Sequence, residues 1–245
     1  MPSSPTTQPS SARTHFWQGA KDTFPLLVGA LPFGLIYGAL GIASGLSPAA
    51  TAAMSLVVFA GSAQFIAVSL IAAQTPAVVI ALTTFVVNAR HILYSATLAP
   101  QLKGLSTGWL VPLGFWLTDE SFVVAVKGFE ERNQLEERKW YLLGSELAMY
   151  TNWFAATGLG ILAGQAIDDP GSWGLDFALV VTFIGMLVPM VKGRPELLAV
   201  LVSGVTAVLG YGLPHRAGLL LAAVLGVLSG VLAERAWPRS KAGTP

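Results

Sequence analysis

Apolar residues in this chain run in long blocks separated by short polar turns, instead of alternating or marking one face of a helix. About 20 apolar residues at helical rise cross a hydrocarbon core of about 30 Å. Blocks of that kind occupy Phe24–Leu46, Ala49–Ala73, Pro76–Pro100, Thr107–Val126 and Tyr141–Gln165. Three shorter ones follow at Leu175–Val191, Pro195–Leu213 and Ala217–Ala233. The pattern predicts an all-α, polytopic membrane helical bundle of about eight transmembrane helices. One transmembrane domain would cover residues 22–233. A disordered cytoplasmic segment rich in Ser, Thr and Pro precedes it at 1–21, and a cytoplasmic tail follows at 234–245.

Orientation follows from the Lys and Arg residues, which concentrate on the cytoplasmic side of membrane proteins. With the N-terminus inside and every block crossing, the inner segments hold Arg13, Lys21, Lys127, Arg132, Arg138, Lys139, Lys192, Arg194, Arg235, Arg239 and Lys241. The outer segments hold only Lys103 and Arg216. Trp17, Trp140 and Trp237 then fall near the inner interface, and Trp109 and Trp173 near the outer one. The charged stretch KGFEERNQLEERKW (Lys127–Trp140) reads as a solvated connector with i,i+4 pairs at Lys127/Glu131 and Arg132/Glu136. Glycines four apart at Gly34/Gly38, Gly41/Gly45, Gly160/Gly164 and Gly226/Gly230 would let helices approach closely. SLVVFAG at Ser55 and ALVVTFIG at Ala178 suggest a weak internal repeat of parallel sense.

Composition agrees with a lipid solvent. Hydrophobic residues make up 53% of the 245 and charged residues 11%, with a mean hydropathy of +0.64; soluble domains carry about 25% charged residues. A net charge of +1 gives no ground for nucleic-acid binding. Cysteine is absent, so disulfides, thiolate metal sites and cysteine nucleophiles are excluded. His15, His91 and His215 lie far apart, so no metal site and no cofactor are predicted. No GxSxG, HExxH or P-loop pattern occurs, and the chain is not read as an enzyme.

Polar side chains within the apolar blocks carry the candidate chemistry, because an ionisable group in a bilayer costs at least about 2.5–3.5 kcal/mol and usually faces a partner or a water path. FAGSAQF holds Ser62 and Gln64; VVNARHILYS holds Asn88, Arg90, His91 and Tyr94; LTDESF holds Asp119, Glu120 and Ser121; GSELAMYTNW holds Glu146 and Asn152. At about 1.5 Å per residue, Arg90 lies about 15 Å deep, Asp119 about 18 Å and Asn152 about 16 Å, all near the midplane where secondary transporters place their sites. Arg90 is read either as a clamp that pairs with Asp119 or Glu120, or as the cation that receives an anionic substrate group. Adjacent carboxylates in a low dielectric do not easily both ionise, which makes Asp119 and Glu120 candidate proton carriers. His91 is a hydrogen-bonded structural residue or a proton relay. Gln64 marks a broken helix or bonds a neighbouring one. Glu146, only about 8 Å from the inner face, is expected to reach the headgroups.

FAGSAQF, NARHILYS and LTDESF, in this order and spacing, resemble the hallmark segments of the AzlC-type azaleucine-resistance proteins, large subunits of bacterial branched-chain amino acid exporters. The resemblance runs from about Asp22 through the fifth block and more loosely to the end. It implies export of Leu, Ile and Val, with Met as a further candidate, across the bacterial inner membrane, together with a small AzlD-type membrane subunit. The site predicted for substrate binding or proton coupling is Arg90, Asp119, Glu120, Asn88, His91, Gln64 and Asn152. A membrane channel or structural subunit, and a membrane-embedded enzyme, are the alternatives.

Overall fold

A computed structural model describes residues 11–166, 184, 187–188, 191–213 and 217–237. Every described element is helical: α1 (Ala12–Ala43), α2 (Pro48–Val57), α3 (Gly61–Ala72), α4 (Ala77–Asn88), α5 (Arg90–Leu98) with a 3-10 turn (Ala99–Leu102), α6 (Thr107–Trp116), α7 (Asp119–Glu130), α8 (Leu135–Gln165), α9 (Arg194–Leu209) and α10 (Ala217–Ala236). Ala12–Ala43 and Ala77–Leu102 are long and apolar enough to cross a membrane. The Leu175–Val191 block falls almost wholly outside the described residues, as does the repeat segment at Ala178.

The chain forms two compact units, one from residues 1–64 and 88–168, the other from 65–87 and 169–245. In the first unit α1 and α8 lie parallel in close contact. The glycine pattern explains why: a Cβ on Gly34 would meet Ala156, one on Gly38 the Thr157 carbonyl, one on Gly160 the Leu35 carbonyl and one on Gly164 the Ala39 backbone. Backbones approach this closely only over small residues. Contact extends below the predicted span, where Gly19 meets Tyr141 and Gly144 meets Phe16. The helix therefore starts at Ala12, capped by Ser11, well before Asp22, and buries His15 and Gly19. In the second unit, α9 and α10 pack as a hairpin, with Gly226 and Gly230 against Ser203 and Ala199.

Blocks two and four are each broken into half-helices, and block three is interrupted at one residue. The breaks fall at 58–60, at Ala89, and at Leu117–Thr118. Ala89 keeps α-helical torsions, so α4 and α5 form a near-continuous stretch. Thr118 is extended, and its side chain exchanges capping bonds with Ser121, which ends α6 and starts α7 afresh. At 10 and 12 residues, α6 and α7 span about 15 and 18 Å, half a hydrocarbon core each.

Alternating topology does not survive in this region. Arg138 donates to the Gln101 carbonyl at 3.2 Å, and the rings of Trp109 and Trp140 lie 5.1 Å apart. Strict crossing would put each pair on opposite faces. Instead α6 rises beside α8, from Trp109 at Trp140 to Trp116 at Tyr150. Then α7 descends, bringing Gly128 against Tyr141 and the Phe129 carbonyl to Arg138. The helix pair thus enters and leaves at the same end of α8, and Lys103 joins the basic residues there. The connector is not simply solvated either. Arg132 is buried, donates to the Gly128 carbonyl at 2.7 Å and stacks on Tyr141, while Lys139 pairs with Glu136 rather than the predicted partners doing so.

Candidate functional site

The three motifs meet where their helices break. Arg90 follows the slight interruption at Ala89 in the α4–α5 stretch, and Asp119 opens α7, so the Asp119 side chain projects from the N-terminal end of a half-helix. Arg90 Nη1 lies 3.0 Å from Asp119 Oδ2. Its other terminal nitrogen, Nη2, donates to Ser62 Oγ at 2.7 Å, at the start of α3. One planar guanidinium thus bridges two helix starts, a geometry that a lysine cannot reproduce. Tyr94, one turn after Arg90, donates its hydroxyl to Asp119 Oδ1 at 2.5 Å, and its ring stacks on Phe122 at 4.4 Å. Both carboxylate oxygens of Asp119 are therefore used, and its negative charge sits at the favourable end of α7.

The ion pair selects Asp119 over Glu120. Glu120 is half-buried beside it in the first turn of α7. The pair is not sealed: the Arg90 side chain is 25% exposed and that of Asp119 41%. Arg90 Nε has no partner, nor has the buried Oδ1 of Asn88. His91 donates from Nδ1 to the Asn88 carbonyl at 3.0 Å and meets Tyr94 edge-on, which ties its ring to this cluster. Arg90, Asp119, Asn88 and His91 are thus brought together, with Glu120 adjoining.

Gln64 and Asn152 are not part of that cluster. Gln64 is fully buried; its amide donates to Ser55 at 3.2 Å and its carbonyl accepts from the Trp153 indole at 2.9 Å. Ser55 bonds Thr157 at 3.0 Å. The break before α3 is held by these bonds and by Tyr150, which donates to the Leu56 carbonyl at 3.1 Å and packs on Phe59. Asn152 donates to the Leu27 carbonyl at 3.1 Å and fastens α8 to α1. Glu146 reaches no headgroup. It is 0% exposed, and neither carboxylate oxygen has a partner. Ser62 and Tyr94 are the ligands that the sequence-predicted set left out. Tyr94 stands at i+4 from Arg90, on the same helical face, which was a legible signal. Among the described residues no cluster of His, Cys, Asp or Glu could hold a metal ion.

A sequence-family model described as AzlC protein matches residues 25–167. An uncharacterised membrane protein of Archaeoglobus fulgidus is 34% identical over 87% of this chain and 93% of its own length. The inner membrane protein YgaZ of Escherichia coli is 26% identical over 94% and 93%. The branched-chain amino acid transport protein AzlC of Bacillus subtilis is 29% identical over 70% and 68%. No solved structure matches the chain.

Proposed function

The chain belongs to the AzlC family, a membrane-protein family with a transport role, and from that premise we propose that it exports branched-chain amino acids from the bacterial cell in exchange for protons. The similarity to the branched-chain amino acid transport protein of Bacillus subtilis supports the substrate class. The observation that carries the mechanism is the part-exposed pair between Arg90, beside the interruption at Ala89, and Asp119, at the start of the half-helix α7. A zwitterionic amino acid presents one carboxylate and one ammonium. Arg90 receives the carboxylate, Asp119 the ammonium, and the two protein charges part as the substrate enters between them. Ser62 and Tyr94 hold the guanidinium and the carboxylate in place through that exchange. Glu120, outside the ion pair, carries the coupled proton. Half-helix ends near the midplane are where secondary transporters bind substrates and ions.

A small AzlD-type membrane subunit completes the transporter, and both termini face the cytoplasm, where the basic residues cluster. Cells loaded with labelled leucine and expressing this chain with such a subunit should release it faster than cells lacking the chain. Equal efflux from the two would reject the reading.

A further inference from the structure

We propose that the aliphatic side chain of the substrate occupies an apolar cavity between α5, the 3-10 turn, α6 and α8, and that Gly114 sets which side chains fit. The inference rests on the amino-acid transport reading above. The cavity measures about 170 Å³ and is walled by Leu98, Leu102, Leu110, Leu113, Leu117 and Leu142. That is below the about 300–1,000 Å³ of clefts that take drug-sized ligands, and it suits one small aliphatic group. Five of the six leucines, Leu98, Leu102, Leu113, Leu117 and Leu142, are buried, so that wall is fixed, and Leu110 lies with Ser95, Ala99 and Gly114 on an exposed rim.

Its position ties it to the charged cluster. Ser95 lines the cavity next to Tyr94, and Leu117 lines it two residues before Asp119. Tyr94 itself packs against the same leucine cluster while its hydroxyl holds Asp119. A head group at Arg90 and Asp119 would therefore direct its side chain into this cavity. Gly114 also lines it, and a Cβ there would meet nothing within 4 Å. Gly114 is exposed, so added carbons at this position stand at the cavity mouth and narrow it without displacing protein. A lipid chain is the other apolar occupant of such a space in a bilayer, and the test separates the two.

The chain has no cysteine, so Gly114→Cys supplies a single thiol at the cavity mouth. Its alkylation by N-ethylmaleimide in membranes should slow when leucine is present and slow less with alanine at the same concentration. In transport, Gly114→Val should raise the leucine concentration for half-maximal flux about tenfold or more, since one carbon in an apolar pocket discriminates 10–200-fold, and should leave alanine flux the least affected. Leucine that gives no protection would overturn the inference whether or not the chain transports it, as would an unchanged substrate ranking in Gly114→Val. Protection without any flux would leave the subsite standing and refute the transport reading instead.

Discussion

Breaking the Arg90–Asp119 pair from either side should destabilise the protein, and breaking it from both sides at once should do no further harm. Asp119→Asn keeps an oxygen for the Tyr94 hydroxyl but removes the charge that faces Arg90 Nη1 at 3.0 Å. Arg90→Gln removes the cation and its bond to Ser62. An exposed ion pair contributes about 0–1 kcal/mol, whereas stranding one partner of a buried pair costs about 3–5 kcal/mol. At 25% and 41% exposure this pair stands between those limits, so each single change should cost about 1–3 kcal/mol. For a chain of this size, 1 kcal/mol moves the thermal midpoint by about 2–4 °C. Each single variant should therefore melt about 2–12 °C below the parent. The double variant Arg90→Gln/Asp119→Asn removes the stranded charge, so it should melt no lower than the worse single variant, a coupling of about 1–3 kcal/mol. Tryptophan fluorescence of the four purified proteins during heating measures this directly. Losses that simply add, or single variants that melt with the parent, would show that the two side chains do not act as a pair.

Cysteines placed singly at Gln101 and Glu136 should be labelled by an impermeant maleimide from the same side of the membrane; opposite sidedness would contradict the paired half-helices α6 and α7. Gly38→Ala forces a methyl against the Thr157 carbonyl, so it should cost about 1–3 kcal/mol by overpacking, whereas Gly114→Ala should leave the melting temperature unchanged; equal midpoints would undo the close-packing account of α1 and α8. Glu146 is buried with both oxygens unpartnered, an arrangement that opposes stability and is tolerated mostly where function needs it. Glu146→Gln should raise the melting temperature while lowering leucine flux, and a rise with full flux would make it a structural residue only.

The helical class, the membrane setting and the close glycine faces were legible in the sequence, because length and small-residue spacing act locally along one helix. Gly34, Gly38, Gly160 and Gly164 all proved to be contacts, whereas Gly45 meets nothing within 4 Å and instead takes the positive φ of the turn after α1. The encounter of NARHILYS with LTDESF was legible too, since an arginine within an apolar block needs a carboxylate and the neighbouring block supplies two. Block four misled because hydropathy registers apolar length but not direction. Ten residues up and twelve down read the same as one crossing, and only the capping pair Thr118 and Ser121 betrays the reversal. The fates of Gln64 and Asn152 depended on Trp153 and Leu27, partners far away in sequence. The early start of α1 was hidden for a similar reason: the Ser- and Pro-rich head looks unstructured until Gly19 finds Tyr141.

Leucine movement in proteoliposomes carrying the chain and its small subunit, with a pH gradient imposed, tests proton-coupled export through the Arg90–Asp119 site most directly. Acidifying the outside should accelerate leucine efflux and draw protons inward with it. Glu120→Gln should abolish that acceleration yet keep leucine–leucine exchange, and Asp119→Asn should weaken both. Leucine flux that ignores the gradient, or that both variants carry at the parental rate, would contradict the account.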